Sequence, residues 1–204
     1  MNNPSKKEAK NAAFQKTIEF IGYIDKLKTV IRQNGLHDNS RPENTAEHSW
    51  HAALSAVLLE PYANFPVDID KVSQMLLIHD LIEIEAGDTF VYNDKALVLQ
   101  AKAELEAAKI IFGKLPKAQG ESLKALWEEF ESRQTPEAKF AKAIDRFLPL
   151  YSNLQNKGYS WRVHDISQNQ VRQICHIIED GSTILWDLTE AMIDDAVQQG
   201  FLKP

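Results

Sequence analysis

The sequence predicts an all-α fold arranged as one domain. Apolar residues recur at spacings of three and four along most of the chain, which is the period of an amphipathic helix, and the alternation typical of strands is nearly absent. The chain has 204 residues, of which 44% are hydrophobic, and this is enough for one sizeable core. Because neither a linker nor a repeat interrupts the pattern, we expect a single domain over residues 1–204.

The first helix is predicted from its apolar spacing. Apolar residues from Phe14 to Ile31 repeat at threes and fours, which indicates a helix over residues 8–33. Gly35 and the polar residues after it are expected to end this helix.

The later helices are delimited by capping residues and by glycine or proline. Asn44 with Glu47 three residues later resembles a capping box, so a helix should begin at residue 44 or 45. Thr135 precedes Pro136, and proline is best tolerated at the first position of a helix. The predicted helices cover residues 44–59, 69–85, 95–114, 119–132, 136–156, 167–179 and 183–199.

The composition excludes several classes of function. A net charge of −6 argues against binding to duplex nucleic acid, whose phosphates require a basic surface. The single cysteine, Cys175, allows neither an internal disulfide nor a cysteine zinc site, and we expect it to be a small buried residue. The N-terminus lacks the apolar core of a secretory signal, and no apolar run approaches the length of a membrane span. A cytoplasmic protein that does not bind membranes is therefore expected.

Two ionisable residues, His79 and Asp80, interrupt the apolar run of the helix predicted over residues 69–85. Burying an imidazole and a carboxylate is unfavourable unless a partner compensates, and both a metal ion and a salt bridge would do so. Glu83 follows one helical turn later on the same face, and Asp88 comes just after the helix. Four polar groups are thus expected around one point.

Two further candidate ligands lie far away in the sequence. His48 falls in the first turn of its helix, where the helix dipole disfavours a positive charge and keeps the imidazole neutral. Asp145 flanks an apolar stripe and should face partly inward, although a surface pair with Arg146 would also explain it. Two histidines and two aspartates suit manganese, iron, cobalt, magnesium or zinc. Spacing alone does not bring Asp145 to the histidines.

Taken in order, these residues resemble the signature of the HD-domain superfamily, which has a histidine, then a histidine–aspartate pair, then a distant aspartate. The segments over residues 41–49, 77–88 and 137–145 are similar to motifs of its 5′-deoxynucleotidase branch. The resemblance covers residues 14–156. It implies a helical bundle with a five-helix core, to which residues 157–204 would add a C-terminal helical extension.

The resemblance also implies roles for individual residues. One divalent metal ion is expected on the four ligands His48, His79, Asp80 and Asp145. Glu83 and Asp88 match a glutamate and an aspartate that assist catalysis in that branch. Arg32 is the nearest candidate for an arginine that grips phosphate, with Arg41 as a second candidate. Gln33 stands where the branch has a tryptophan.

The expected function is metal-dependent hydrolysis of a phosphate monoester, above all a nucleoside 5′-monophosphate. The expected partner is this small molecule, and the family suggests a homodimer. One alternative is an HD-scaffold phosphodiesterase or oxygenase with two metals, which needs more histidines near the site. Another is a nucleotide-binding module with a structural metal, which would not need Glu83 and Asp88. The sequence contains neither a Gly-x-Ser-x-Gly motif nor a Walker phosphate loop.

Overall fold

The computed structural model describes residues 6–88, 91–92 and 94–204, without the side chains of residues 94–101. Helices make up most of the described chain, which confirms the all-α prediction. The helices are α1 (Lys6–Ile24), α2 (Thr45–Leu59), α3 (Ile69–Ile78), α4 (Glu83–Ala86), α5 (Asp94–Phe112), α6 (Lys117–Ser132), α7 (Pro136–Gln155), α8 (Tyr159–Val163), α9 (Gln168–Cys175), α10 (Ile178–Gly181) and α11 (Thr183–Gln198). Two short strands, β1 (Ile31–Gly35) and β2 (Pro42–Asn44), form an antiparallel pair.

The prediction of one helix over residues 8–33 is wrong in its second half. α1 ends at Ile24, a short 3₁₀ turn follows, and β1 begins at Ile31. Ile31 lies opposite Asn44 in the pair of strands, so β1 obtains its hydrogen bonds from a segment that is distant in sequence. This pairing places Arg32 beside the start of α2.

The helix predicted over residues 69–85 is interrupted at the histidine–aspartate pair. α3 ends at Ile78, a 3₁₀ turn covers His79–Ile82, and α4 begins at Glu83. A 3₁₀ turn is wound more tightly than an α-helix, so the angular spacing assumed for one continuous helix does not apply here. Gly87 ends α4 with a positive φ of 77°, which favours glycine.

The predicted starts of α2 and α7 are confirmed. The backbone N–H of Glu47 donates to Asn44 Oδ1 at 3.0 Å, and Glu47 Oε2 accepts from the backbone N–H of Asn44 at 3.1 Å. The Thr135 hydroxyl oxygen accepts from the N–H of Ala138 at 3.2 Å. Each cap satisfies backbone donors that a helix leaves unpaired, which fixes the first residue of the helix.

α7 lies at the centre of the molecule and contacts α2, α3 and α6 as well as the C-terminal helices α8–α11. Apolar residues of α2, α3, α7 and the C-terminal helices share the larger of two cores, and a smaller core lies beneath α1, α5 and α6. Ile144 is fully buried in the larger core, so Asp145, the next residue on α7, is held at the centre of the fold. No helix among the described residues is long and apolar enough to cross a membrane.

Candidate metal centre

Three predicted ligands converge at one buried point. His48, His79 and Asp145 are each at most 6% exposed. One donor atom from each lies within 4.8 Å of the other two. Asp145 Oδ1 is 3.0 Å from His48 Nε2 and 3.4 Å from His79 Nε2. In the part of the chain that the structure describes, this is the one set of three such groups with the proximity that a metal ion requires.

Each ligand is oriented by its own element. His48 directly follows the capping box of α2, and burial lowers its pKa to about 4, so the imidazole is neutral as expected. His79 opens the 3₁₀ turn, where its Nδ1 lies 2.8 Å from the Leu76 carbonyl oxygen. A carbonyl only accepts, so Nδ1 carries a proton, which leaves Nε2 as the ring nitrogen available to bind a metal ion.

The side chains at this point fit a cation. His79 Nε2 is buried and makes no hydrogen bond, although Asp80 Oδ2 is 3.1 Å away. Burial disfavours a charged imidazole, yet the nearby carboxylates of Asp80 and Asp145 raise the pKa of His79 to about 10. An orphaned buried nitrogen, in surroundings that favour a positive charge, is the chemistry expected where a divalent ion binds.

Asp80, the fourth predicted ligand, lies beside this set and outside it. Its Oδ2 accepts a hydrogen bond from Nη1 of Arg32 at 3.0 Å. Burial opposes ionisation of Asp80, but His79 and Arg32 hold the pKa of this carboxyl well below its usual range. Asp80 therefore joins the metal centre to the guanidinium, and its direct ligation of metal stays a prediction.

Glu43 is a site residue that the sequence reasoning missed. Its Oε2 lies 3.6 Å from Nε of Arg32 and 3.7 Å from Nδ1 of His48, and the residue is buried. A carboxylate behind a metal-ligating histidine commonly orients the ring. The available signal was its position four residues before Glu47, inside the segment that resembles a family motif.

Glu83 and Asp88 reach the same site from the other side of the 3₁₀ turn. The Thr45 hydroxyl donates to Glu83 Oε2 at 2.9 Å, and the carboxyl groups of Glu83 and Asp88 share a hydrogen bond. Burial, followed by repulsion from Asp80, raises the pKa of Glu83, while Arg32 opposes this shift. Burial also raises the pKa of Asp88. Both carboxyl groups beside the candidate metal ligands are thus easier to protonate than a carboxyl group in water.

The predicted arginines are separated by the fold. Arg32 lines the cavity described below, and its Nε is buried without a hydrogen-bond partner. Arg41 instead lies on the outside, half exposed, with its guanidinium paired to both carboxylate oxygens of Glu47 at 2.8 and 2.5 Å. Its location does not support the predicted role in binding phosphate. Two other cations lie near Asp145 Oδ2: Lys142 Nζ at 3.1 Å and Arg146 Nε at 4.0 Å.

A cavity of about 300 Å³ opens onto the metal centre. Its polar lining includes the predicted residues Arg32, His79, Asp80, Glu83, Asp88 and Asp145, together with Lys142 and Arg146. Of the predicted residues, His48 lies behind this lining and Arg41 lies away from it. The volume is at the small end of ligand-binding cavities, which suits a small anionic molecule.

Comparison with known proteins agrees with this arrangement. Residues 24–186 match the HD domain family. The chain is 29% identical over 146 residues to the human 5′-deoxynucleotidase HDDC2, over 69% of this chain and 70% of the human protein. It is 30% identical over 136 residues to the 5′-deoxynucleotidase hdd1 of Schizosaccharomyces pombe, over 64% of this chain and 67% of that protein. A crystal structure of a predicted metal-dependent phosphohydrolase from Magnetospirillum magnetotacticum is 43% identical, with a TM-score of 0.90 and coverage of 94% of this chain and 96% of that one.

Proposed function

This chain belongs to the HD domain family, and we propose that it is a metal-dependent phosphohydrolase that cleaves nucleoside 5′-monophosphates to nucleoside and phosphate. The observation that carries the proposal is one cavity that joins buried metal-ligand candidates to Glu83 and Asp88 and to the cationic side chains of Arg32, Lys142 and Arg146. The relatives named 5′-deoxynucleotidases support the nucleotide as the substrate class.

His48, His79 and Asp145 would hold the divalent ion, with Asp80 as the adjacent fourth ligand. This mixed set of nitrogen and oxygen donors suits manganese, iron, cobalt, zinc or magnesium. When bound, the ion supplies Lewis-acid assistance to phosphate ester hydrolysis.

Cationic side chains of the cavity bind the phosphoryl group. Arg32 lines the cavity, and its guanidinium has several N–H donors, so it can bind a phosphate oxygen while Nη1 keeps its bond to Asp80. Lys142 and Arg146 approach from α7, next to Asp145. Together they offset the negative charge of the phosphoryl group as the ester bond breaks.

Glu83 transfers the proton that the reaction requires. In hydrolysis a water oxygen bonds to phosphorus and gives up a proton, while the ester P–O bond breaks and the leaving oxygen gains one; the proton from the water thus replaces the one that Glu83 donates. The raised pKa of Glu83 means that this carboxyl holds a proton near neutral pH, next to the place where the ester oxygen would leave. Asp88 shares a hydrogen bond with Glu83 and orients it.

The test measures phosphate release from ribo- and deoxyribonucleoside 5′-monophosphates, after chelation and with each divalent metal restored in turn. Glu83→Gln should lower kcat by roughly 100-fold or more and leave metal affinity unchanged, since the Thr45 hydroxyl can still donate to the amide oxygen. Glu85→Gln is the matched control, because Glu85 is exposed and lies outside the cavity lining. Full activity in Glu83→Gln would remove its assigned role. Tight nucleotide binding with no turnover under any metal would favour a binding module instead.

A further inference from the structure

One face of α7 lines the cavity along most of its length. The lining residues follow the helical repeat and are Lys142, Asp145, Arg146, Pro149, Leu150 and Asn153. The first three carry charge and the last three do not. Asp145 and Asn153 are separated by about 12 Å along the helix axis, at about 1.5 Å per residue. The cavity therefore changes along α7 from a charged end at the metal centre to an uncharged end.

The C-terminal segment supplies another wall of the cavity, which begins near Arg146 and extends toward Asn153. Trp161 of α8 and Cys175 of α9 line the cavity and are 2% and 3% exposed, and the half-buried Ile174 lies beside them. The indole N–H of Trp161 donates to the hydroxyl of Tyr92, another lining residue, so the indole ring is fixed. Residues beyond the segment that resembled the HD motifs thus contribute directly to the cavity.

Asn153 ties the two walls together. Its Nδ2 donates to the Pro149 carbonyl at 3.0 Å. Its Oδ1 accepts from the backbone N–H of Ser160 at 3.2 Å and from the Ser160 hydroxyl at 2.8 Å. Ser160 immediately precedes Trp161, so this network sets the distance between the indole ring and α7. A wall fixed in this way is preorganised for a ligand.

The geometry points to a second subsite in this cavity, in which Leu150, Trp161 and Ile174 hold the nucleobase of the substrate. This inference rests on the proposed function. A nucleoside monophosphate has an anionic end and a flat ring at its other end, and the cavity has a charged end and an apolar, aromatic end in the same order. Apolar and aromatic walls with a few polar groups are the usual surroundings of bound rings.

Polar side chains at the same cavity suit the edges of a base or sugar. Gln33 and Asn34 of β1 line it next to Arg32. Gln33 stands where the resemblance led us to expect a tryptophan, and Trp161 provides an aromatic ring from the C-terminal segment instead. The subsite thereby assigns a role to residues 157–204, for which the sequence predicted only additional helices.

The decisive variant is Ile174→Ala, with Ile177→Ala as its control. Both isoleucines are half-buried and they are three residues apart, and Ile177 is absent from the cavity lining. We expect Ile174→Ala to raise KM for thymidine 5′-monophosphate about fivefold to tenfold and to leave kcat/KM for 2-deoxyribose 5-phosphate, which has no base, unchanged. Ile177→Ala should alter neither value. Equal effects of Ile174→Ala on both esters, or no effect on either, would overturn the subsite.

A binding measurement separates the subsite from the proposed reaction. Calorimetric titration of the full chain with thymidine and with deoxyadenosine, in the presence of Mn²⁺, should detect binding that Ile174→Ala weakens and Ile177→Ala does not. If no ester is hydrolysed but this pattern holds, the proposed function fails and the subsite stands. If 2-deoxyribose 5-phosphate is hydrolysed while neither nucleoside binds, the subsite fails and the phosphohydrolase stands.

Discussion

Gly181→Ala tests how closely the C-terminal segment packs on α7, the helix that carries the candidate metal ligand Asp145. Gly181 closes α10, and a Cβ added there would lie 2.4 Å from the Lys139 carbonyl oxygen and 2.7 Å from the Ala143 Cβ, both on α7. Cβ atoms essentially never approach other atoms within 3.0 Å, so α10 would have to move away from α7. Overpacking of this kind costs about 2 kcal/mol. For a domain of this size, that lowers Tm by roughly 4–8 °C in thermal unfolding followed by circular dichroism.

The matched control is Gly22→Ala in α1. A Cβ at Gly22 meets no atom within 4 Å, and alanine is favoured over glycine in a helix by up to about 1 kcal/mol. The same substitution should therefore leave Tm unchanged or raise it slightly. If Gly181→Ala unfolded at or above the wild-type temperature, the close approach of α10 to α7 would be refuted.

Three further predictions concern the site. Arg32→Gln should lower kcat/KM for a nucleoside monophosphate roughly 10- to 100-fold, and Arg41→Gln should lower it by less than about threefold. Of these two arginines, Arg32 lines the cavity and Arg41 does not. Equal losses in the two variants would contradict the assignment of Arg32 to phosphate binding. Glu43→Gln should weaken metal affinity about tenfold or more in equilibrium dialysis, since Glu43 backs His48; unaltered affinity would remove Glu43 from the site. Burial raises the pKa of Cys175 from 9.0 to about 12, so at pH 8 its thiolate should be about a thousandfold scarcer than in the unfolded chain. The folded protein should react with a disulfide reagent more slowly than the unfolded chain by at least that factor. The reaction rate of the folded protein should keep rising with pH beyond 9, and a plateau near pH 9 would contradict the burial of Cys175.

Helix starts could be predicted from the sequence because capping is a local interaction. The side chains of Asn44 and Glu47 each accept a hydrogen bond from the other residue's backbone N–H, and the Thr135 side chain caps α7 in the same way. Each of these interactions spans four residues. The end of α1 could not be predicted in this way. The apolar spacing continues to Ile31, but the hydrogen bonds of β1 come from β2, and this long-range pairing overrides the local period.

The site was predictable where a motif stood in the sequence and not where tertiary structure alone created it. His48 and Asp145 are 97 residues apart, and only the resemblance to a family joined them before the structure was known. Glu43 lies inside a segment that resembles a family motif but received no role there, and Trp161 lies outside the motifs. Their roles follow from burial beside Arg32 and Tyr92, which depends on how β2 and α8 pack.

Each of the three converging ligands lies beside a local feature that ends or weakens regular α-helical bonding. His48 follows directly on a capping box, and His79 stands where α3 gives way to a 3₁₀ turn. Pro149 lies four residues after Asp145 inside α7 and lacks the N–H that would otherwise bond the Asp145 carbonyl. A straight helix directs successive side chains by a fixed rotation, whereas a cap, a tight turn and a proline each change that direction locally. Such breaks allow side chains from three separate elements to point at one buried site.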